Sequence, residues 1–198
     1  AIALYSKAIE SHPKNVNAYY YLGVLYDNLN RKKEAEEELL KSIAIDSTYS
    51  LAYVKLAQIY RNSNRKEELE SLYNKAITNN LDFFDAYYYL GNLFTDIHRD
   101  KDAILLYKRA IEINSASKEA CVGLGNSYLT SGRNKEAIIW FMKALKLDPE
   151  LAVAQNNLAL AYYYAGEYGL AIKHCDQAIK LGYKITPKLL ELLKPHRK

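Results

Sequence analysis

The sequence predicts an all-α protein built as a stack of helical hairpins, and three observations lead there. A leucine recurs every 34 residues, at Leu22, Leu56, Leu90, Leu124 and Leu158. Each is followed by a small residue (Gly23, Ala57, Gly91, Gly125, Ala159) and, four positions after the leucine, by an aromatic (Tyr26, Tyr60, Phe94, Tyr128, Tyr162). A second set of mostly small residues keeps the same period: Ala35, Leu69, Ala103, Ala137 and Ala171, then Ser42, Ala76, Ala110, Ala144 and Ala178. Self-similarity at a fixed spacing of this size marks an array in which each copy is one supersecondary unit.

Taken in order, the segment 1–15 matches only the second helix of a unit, with Ala1, Tyr5, Ala8 and Pro13 in register. Its partner helix is missing, so the chain reads as a piece of a longer array. The apolar face of Ile2, Tyr5 and Ile9 is then partly uncovered, which invites homodimer contacts at that end. Repeat 1 spans 16–49. In its first helix Tyr19, Leu22, Gly23 and Tyr26 fall on one helical stripe, which must be buried. Small residues at Gly23, Ala35 and Ser42 let two helices approach, and the aromatic fills the space beside them. The turn column reads Asn30, Asn64, His98, Gly132 and Gly166, residue types that tolerate the left-handed backbone of a helix C-terminus. Repeats 2, 3, 4 and 5 follow at 50–83, 84–117, 118–151 and 152–185. Repeat 2 carries Ala57 and Leu69 where most copies have Gly and Ala, so its two helices should sit farther apart. Residues 186–198 form a terminal cap and tail: Thr186 caps a helix with Pro187 in its first turn, Leu189, Leu190, Leu192 and Leu193 supply its apolar face, and Pro195 stops it. A lone hairpin cannot cover both of its faces, so the copies must stack, which implies one continuous domain.

These copies resemble the tetratricopeptide repeat, which pairs two antiparallel helices and carries a Leu-Gly pair, an aromatic, spaced alanines and a late proline, here Pro149 and Pro13. The likeness runs from Ala1 to about Tyr183. It implies a right-handed superhelical solenoid whose concave surface is lined by the face opposite the buried stripe. That face explains why NAYYYLGVLY (17–26) and DAYYYLGNLF (85–94) hold three consecutive tyrosines. At about 100° per residue only the first of the three points into the stripe. The expected peptide-binding residues are Tyr20, Tyr21, Val24, Lys55, Gln58, Tyr88, Tyr89, Asn92, Asn126, Asn156, Asn157 and Leu160. Tyrosines offer stiff contact area with a polar tip for gripping side chains, and the amides match the donor and acceptor of a ligand's main chain. By contrast, Lys32, Lys33, Glu36, Glu37 and Lys41 make the outward part of the next helix look simply solvated.

Composition narrows the function classes. The chain has 198 residues, 49% apolar and 25% charged, with a net charge of +4, and its acids and bases are interspersed, which does not suggest polyanion binding. No stretch reaches the roughly 20 apolar residues a bilayer crossing needs. Cys121 and Cys175 fall in buried columns and form neither a disulfide framework nor a metal-ligand spacing, leaning towards a reducing, cytoplasmic setting. His12, His98 and His196 lie at helix ends, turns or the tail, and His174 diverges from Cys175 by about 100° along a helix. No catalytic constellation and no cofactor motif results, and the expectation is a non-enzymatic scaffold or adaptor. The clamp that some tetratricopeptide repeats use for acidic C-termini is not matched: its two columns read Tyr20, Val54, Tyr88, Val122, Asn156 and Tyr21, Lys55, Tyr89, Gly123, Asn157. The same face holds Lys55 and Arg61 against Asp27, Asp85, Asp96 and Glu119, which favours a neutral or mildly basic protein segment as partner. Two other functions remain in view: recruiting substrates for a larger enzyme, and RNA binding by base stacking on tyrosine, the latter lacking a basic track.

Overall fold

The protein, described here by a computed structural model, is defined over residues 1–79 and 82–197. Asn80 and Leu81 of the expected repeat 2, and Lys198 of the expected tail, lie outside the described residues. Twelve α-helices follow one another among the described residues: α1 (Ile2–Ser11), α2 (Val16–Asn28), α3 (Lys32–Ile45), α4 (Ser50–Asn62), α5 (Lys66–Thr78), α6 (Phe84–Asp96), α7 (Asp100–Ile113), α8 (Lys118–Thr130), α9 (Asn134–Leu147), α10 (Ala152–Tyr164), α11 (Tyr168–Lys180) and α12 (Pro187–Leu193), with a short 3₁₀ turn at Lys194–His196. Among the described residues there is no strand. The molecule is an all-α solenoid of antiparallel helix pairs.

Turn chemistry sets the pairing. Asn30, Asn64 and His98 take positive φ values of 58°, 53° and 59°, and Gly132 and Gly166 take 73° and 81°. At each of these positions the next residue's N–H reaches back to the carbonyl of the column aromatic, from Arg31 to Tyr26, Arg65 to Tyr60, Arg99 to Phe94, Arg133 to Tyr128 and Glu167 to Tyr162, at 2.7–2.9 Å. This is the Schellman closure, which satisfies the last helical carbonyls and turns the chain into the next helix.

Contacts divide the chain into two compact units, Ala1–Ala86 and Tyr87–Lys198. In the first, α1 packs on α2, α2 on α3, α3 on α4 and α4 on α5, while α2 also touches α4. Ala35, Leu39, Ile43, Tyr53, Leu56 and Tyr73 are almost wholly buried there, and Ser42 Oγ donates to the Val16 carbonyl at 3.2 Å. Every residue of α1 keeps some exposure. The α4–α5 pair is looser than α2–α3, as its columns require.

In the second unit α7 packs on α8, α8 on α9, α9 on α10, α10 on α11 and α11 on α12, and α8 also meets α10. The glycines are where the large residues of the second helices enter: a Cβ on Gly125 would lie 2.5 Å from the Phe141 ring, and one on Gly91 would lie 2.9 Å from Tyr107. Residue Thr186 precedes α12 as expected, but its side chain makes no capping bond. Leu189 and Leu193 join Ala159, Ala171, Cys175, Ala178 and Ile185 in a buried cluster, whereas Leu190 is 39% exposed. The apolar face of α12 is thus narrower than four leucines suggest. Pro195 does not end the helical path at once, since it sits inside the 3₁₀ turn.

Candidate functional site

The expected binding residues stand on first helices, with Tyr20, Tyr21 and Val24 on α2, Lys55 and Gln58 on α4, Tyr88, Tyr89 and Asn92 on α6, Asn126 on α8, and Asn156, Asn157 and Leu160 on α10. All of them are at least partly exposed. In the first unit they are largely engaged with one another. Tyr21 stacks on Tyr5 of α1 with centroids 5.9 Å apart, Tyr20 meets Tyr21 edge-on at 5.1 Å, and Tyr49 meets Tyr20 at 5.6 Å. Tyr49 Oη donates to Asn17 Oδ1 at 2.7 Å. These rings therefore tie α1, α2 and the α3–α4 turn together, each pair adding about 0.5–1.5 kcal/mol beyond its buried area.

Lys55, the clamp-like lysine of the sequence, is not a free cation. Its Nζ lies 2.7 Å from Asp27 Oδ2 and 3.4 Å from Gln58 Oε1, while Lys32 takes the other Asp27 oxygen. Burial pushes the Asp27 carboxyl up, but the two ammonium groups more than reverse it and hold it below its ordinary value. Glu36 departs from the solvated face expected for α3. Its carboxylate receives Arg65 Nη1 at 2.5 Å, Arg65 Nη2 at 3.1 Å and Tyr60 Oη at 2.9 Å. Burial raises its pKa and these donors lower it further than burial raises it.

The second unit holds a cavity of about 500 Å³ lined by Tyr88, Asn92, Thr95 and Asp96 of α6, Tyr107 of α7, Glu119, Val122, Gly123 and Asn126 of α8, and Leu151 and Val153 at the start of α10. It brings together Tyr88, Asn92 and Asn126; Tyr89 stands outside the lining. Tyr107, on α7, is buried along its ring and still contributes to the cavity lining. The hydroxyl donates to Asn92 Oδ1 at 2.6 Å and lies 3.4 Å from Thr95 Oγ1. The ring is 6.1 Å from that of Tyr88. It lies so close to α8 that a Cβ on Gly123 would be 2.5 Å from it. Burial is the main cause that pushes the Tyr107 phenol up to about 12, so it stays a neutral hydrogen-bonding group.

The amides are less open than the sequence suggests. Asn156 Nδ2 donates to Asn157 Oδ1 at 2.9 Å, and Asn157 Nδ2 donates to Asn126 Oδ1 at 2.8 Å. The oxygens of Asn92, Asn126 and Asn157 each have a partner within the chain, while the side-chain N–H groups of Asn92 and Asn126 have none among the described residues. Those donors match a ligand carbonyl. Leu160 lines a neighbouring cavity of about 470 Å³ with Leu129, Thr130, Gly132, Asn134 and Tyr164. The lining of the first cavity includes two acids, Asp96 and Glu119, and no lysine or arginine. Ser117 Oγ donates to Glu119 Oε2 at 3.3 Å.

One repeated device escaped the sequence columns. Arg31, Arg65, Arg99 and Arg133 each hold a guanidinium 4.4–4.5 Å from the column aromatic, with Nε donating to an acid three residues on at 2.8–2.9 Å. The 34-residue spacing of these arginines was visible, but a polar residue next to a turn has no hydrophobic signature. In the fifth copy Glu167 replaces the arginine, and His174 stacks on Tyr162 instead, at 5.4 Å and 16°. His174 Nδ1 is 2.7 Å from Gln155 Oε1, and burial lowers its pKa. Cys121 and Cys175 are free and buried, and burial raises both thiols. Among the described residues no group of three or more His, Cys, Asp or Glu could hold a metal ion, and no helix is long and apolar enough to cross a membrane.

Stacked helical hairpins with an aromatic and amide face on their first helices define a helical-repeat protein. Models of the tetratricopeptide repeat match residues 4–37, 51–83 and 151–184, and a TPR repeat model matches 125–166. The chain belongs to the tetratricopeptide-repeat family. No curated protein matches its sequence. Among solved structures it is similar to YrrB, described as a TPR protein with an unusual peptide-binding site, at 24% identity over 99% of both chains with a TM-score of 0.76. It is also similar to the MamA protein, at 23% identity over 84% of this chain and 91% of that one with a TM-score of 0.70. PilF of Pseudomonas aeruginosa matches at 21% identity over 89% and 80%, with a TM-score of 0.65. At such identities the likeness establishes the fold alone.

Proposed function

We propose that this chain is a non-catalytic interaction scaffold that holds a neutral or mildly basic peptide segment of a partner against the α6–α8–α10 face. The observation that carries this is the cavity of about 500 Å³ in which Tyr88, Asn92 and Asn126 converge. It combines an apolar wall (Val122, Leu151, Val153) with donors for a main-chain carbonyl, which is the composition of a peptide pocket. Kinship of fold with YrrB, described as having a peptide-binding site, supports the same class. RNA stacking has less support, because the lining offers no cation to a phosphate. Affinity for one linear segment should be on the order of micromolar, since ordering a flexible peptide offsets much of the contact energy.

The test is to pan a random peptide library on this chain and measure the selected peptides by fluorescence anisotropy. Tyr88→Ala and Asn126→Ala should each weaken binding about tenfold, the scale of a truncated interface anchor. Glu37→Ala, on α3, should leave it unchanged. Equal affinity for wild type and both groove variants would remove the proposal.

A further inference from the structure

We infer that the cavity of the second unit is a subsite for a lysine side chain of the partner segment, an inference that rests on the peptide-scaffold proposal above and gives it a chemistry. The first unit supplies the precedent. There Lys55, on α4, lays its ammonium against Asp27 of the preceding first helix α2, at 2.7 Å. In the repeat register the residues that correspond to this pair two copies on are Thr95 on α6 and Gly123 on α8. The lysine is therefore absent from α8. Next to the backbone its room is taken by the Tyr107 ring, which would touch any Cβ at Gly123; farther out lies the cavity itself.

The aspartate of the pair is gone as well, replaced by Thr95, but negative charge is supplied from other positions of the repeat. Asp96 and Glu119 both line the cavity, one from α6 and one from α8, and its lining includes no basic residue. Val122, Leu151 and Val153 offer apolar surface for a four-carbon stem, and the Tyr88 ring offers a π-face to an ammonium. Asn92 and Asn126, whose side-chain N–H groups have no partner among the described residues, offer donors for the main-chain carbonyl of the residue that carries the stem and for that of a neighbour. A carboxylate-bearing side chain would meet two like charges and no cation, so selection works by repulsion as well as attraction.

The experiment uses fluorescein-labelled hexapeptide pools that are degenerate at five positions and fixed at the third as Lys, Nε-acetyl-lysine, Arg or Glu, titrated against the intact chain. Expected is at least tenfold tighter binding of the Lys pool than of the acetyl-lysine pool, no measurable binding of the Glu pool, and weakening of the Lys pool with added salt. In the double variant Asp96→Asn, Glu119→Gln the Lys and acetyl-lysine pools should converge, with an unchanged circular dichroism spectrum as the folding control. Equal binding of the Lys and acetyl-lysine pools to wild type, or an undiminished preference in the double variant, overturns the lysine subsite while leaving the peptide scaffold standing. An Arg pool that outbinds the Lys pool tenfold also overturns it, by replacing the lysine with a guanidinium. Absence of binding by every pool overturns both proposals together.

Discussion

Gly125 and Gly123 are adjacent-but-one on α8 and face different partners: a Cβ on the first would meet Phe141 of α9, and on the second Tyr107 of α7, both at 2.5 Å. Neither ring is at the free end of a flexible chain, so the helices would have to separate. Gly125→Ala should therefore cost about 1–3 kcal/mol, the usual range for overpacking, as measured by urea denaturation. Gly132→Ala tests a different cause, since nothing lies within 4 Å of its added Cβ but φ is +73°; a loss of roughly 1 kcal/mol is expected from backbone strain alone. Glu36 gives a pH prediction. Its folded pKa lies below the ordinary value of 4.5, so the pairing with Arg65 stabilises the protein above that pH and is lost as the pH falls through the folded value. Glu36→Gln should destabilise by roughly 1–2 kcal/mol near neutrality, and the gap to wild type should narrow as the pH falls through the lowered folded value. Denaturation curves at a series of pH values check the narrowing of that gap.

At the scale of the elements, α12 has one physical task, which is to cover the outer side of α11. Leu193 is fully buried against Ala171, Cys175 and Ala178. Leu193→Ala should cost about 2–4 kcal/mol, and it should open Cys175 to a thiol-specific reagent while Cys121, buried at 0% exposure on α8, stays protected. Equal labelling of both thiols would mean that α12 does not act locally. How much of this was readable beforehand follows from the kind of signal each element sends. Helix pairing and turns were legible, because Leu22, Gly23, Tyr26 and Asn30 are each forced by packing or by φ and recur with the copy. Features that cross between copies were not. Asn126 bonds Asn157 across 31 residues, a diagonal that no column reveals. Tyr107 sent no signal of its own, because a column gives one environment to a residue, whereas tyrosine has an apolar ring and a polar tip that can lie in two. Tyr20 and Tyr21 look like a free binding pair until Tyr5 and Tyr49, from outside their helix, are seen against them.

For the molecule as a whole, the repeat multiplies one hairpin and departs from it on the first helices. The arginine over the aromatic holds in four copies, as a structural staple should. The first-helix face changes from copy to copy: tyrosines stacked on one another and a Lys55 paired with Asp27 in the first unit, a cavity lined by Asp96 and Glu119 with no lysine or arginine in the second. Outer-face apolar residues such as Leu105, Ile139 and Met142 are also exposed, so a competing surface exists on α7 and α9. The most direct discrimination is an amide-correlation NMR titration of the isotope-labelled chain with a library-selected peptide, because that spectrum also reports the side-chain N–H groups of Asn92 and Asn126. The expected result is saturable shifts of those two side chains and of α6, α8 and α10 backbone amides. Shifts confined to α7 and α9 around Leu105, Ile139 and Met142 would contradict a peptide site on the first helices.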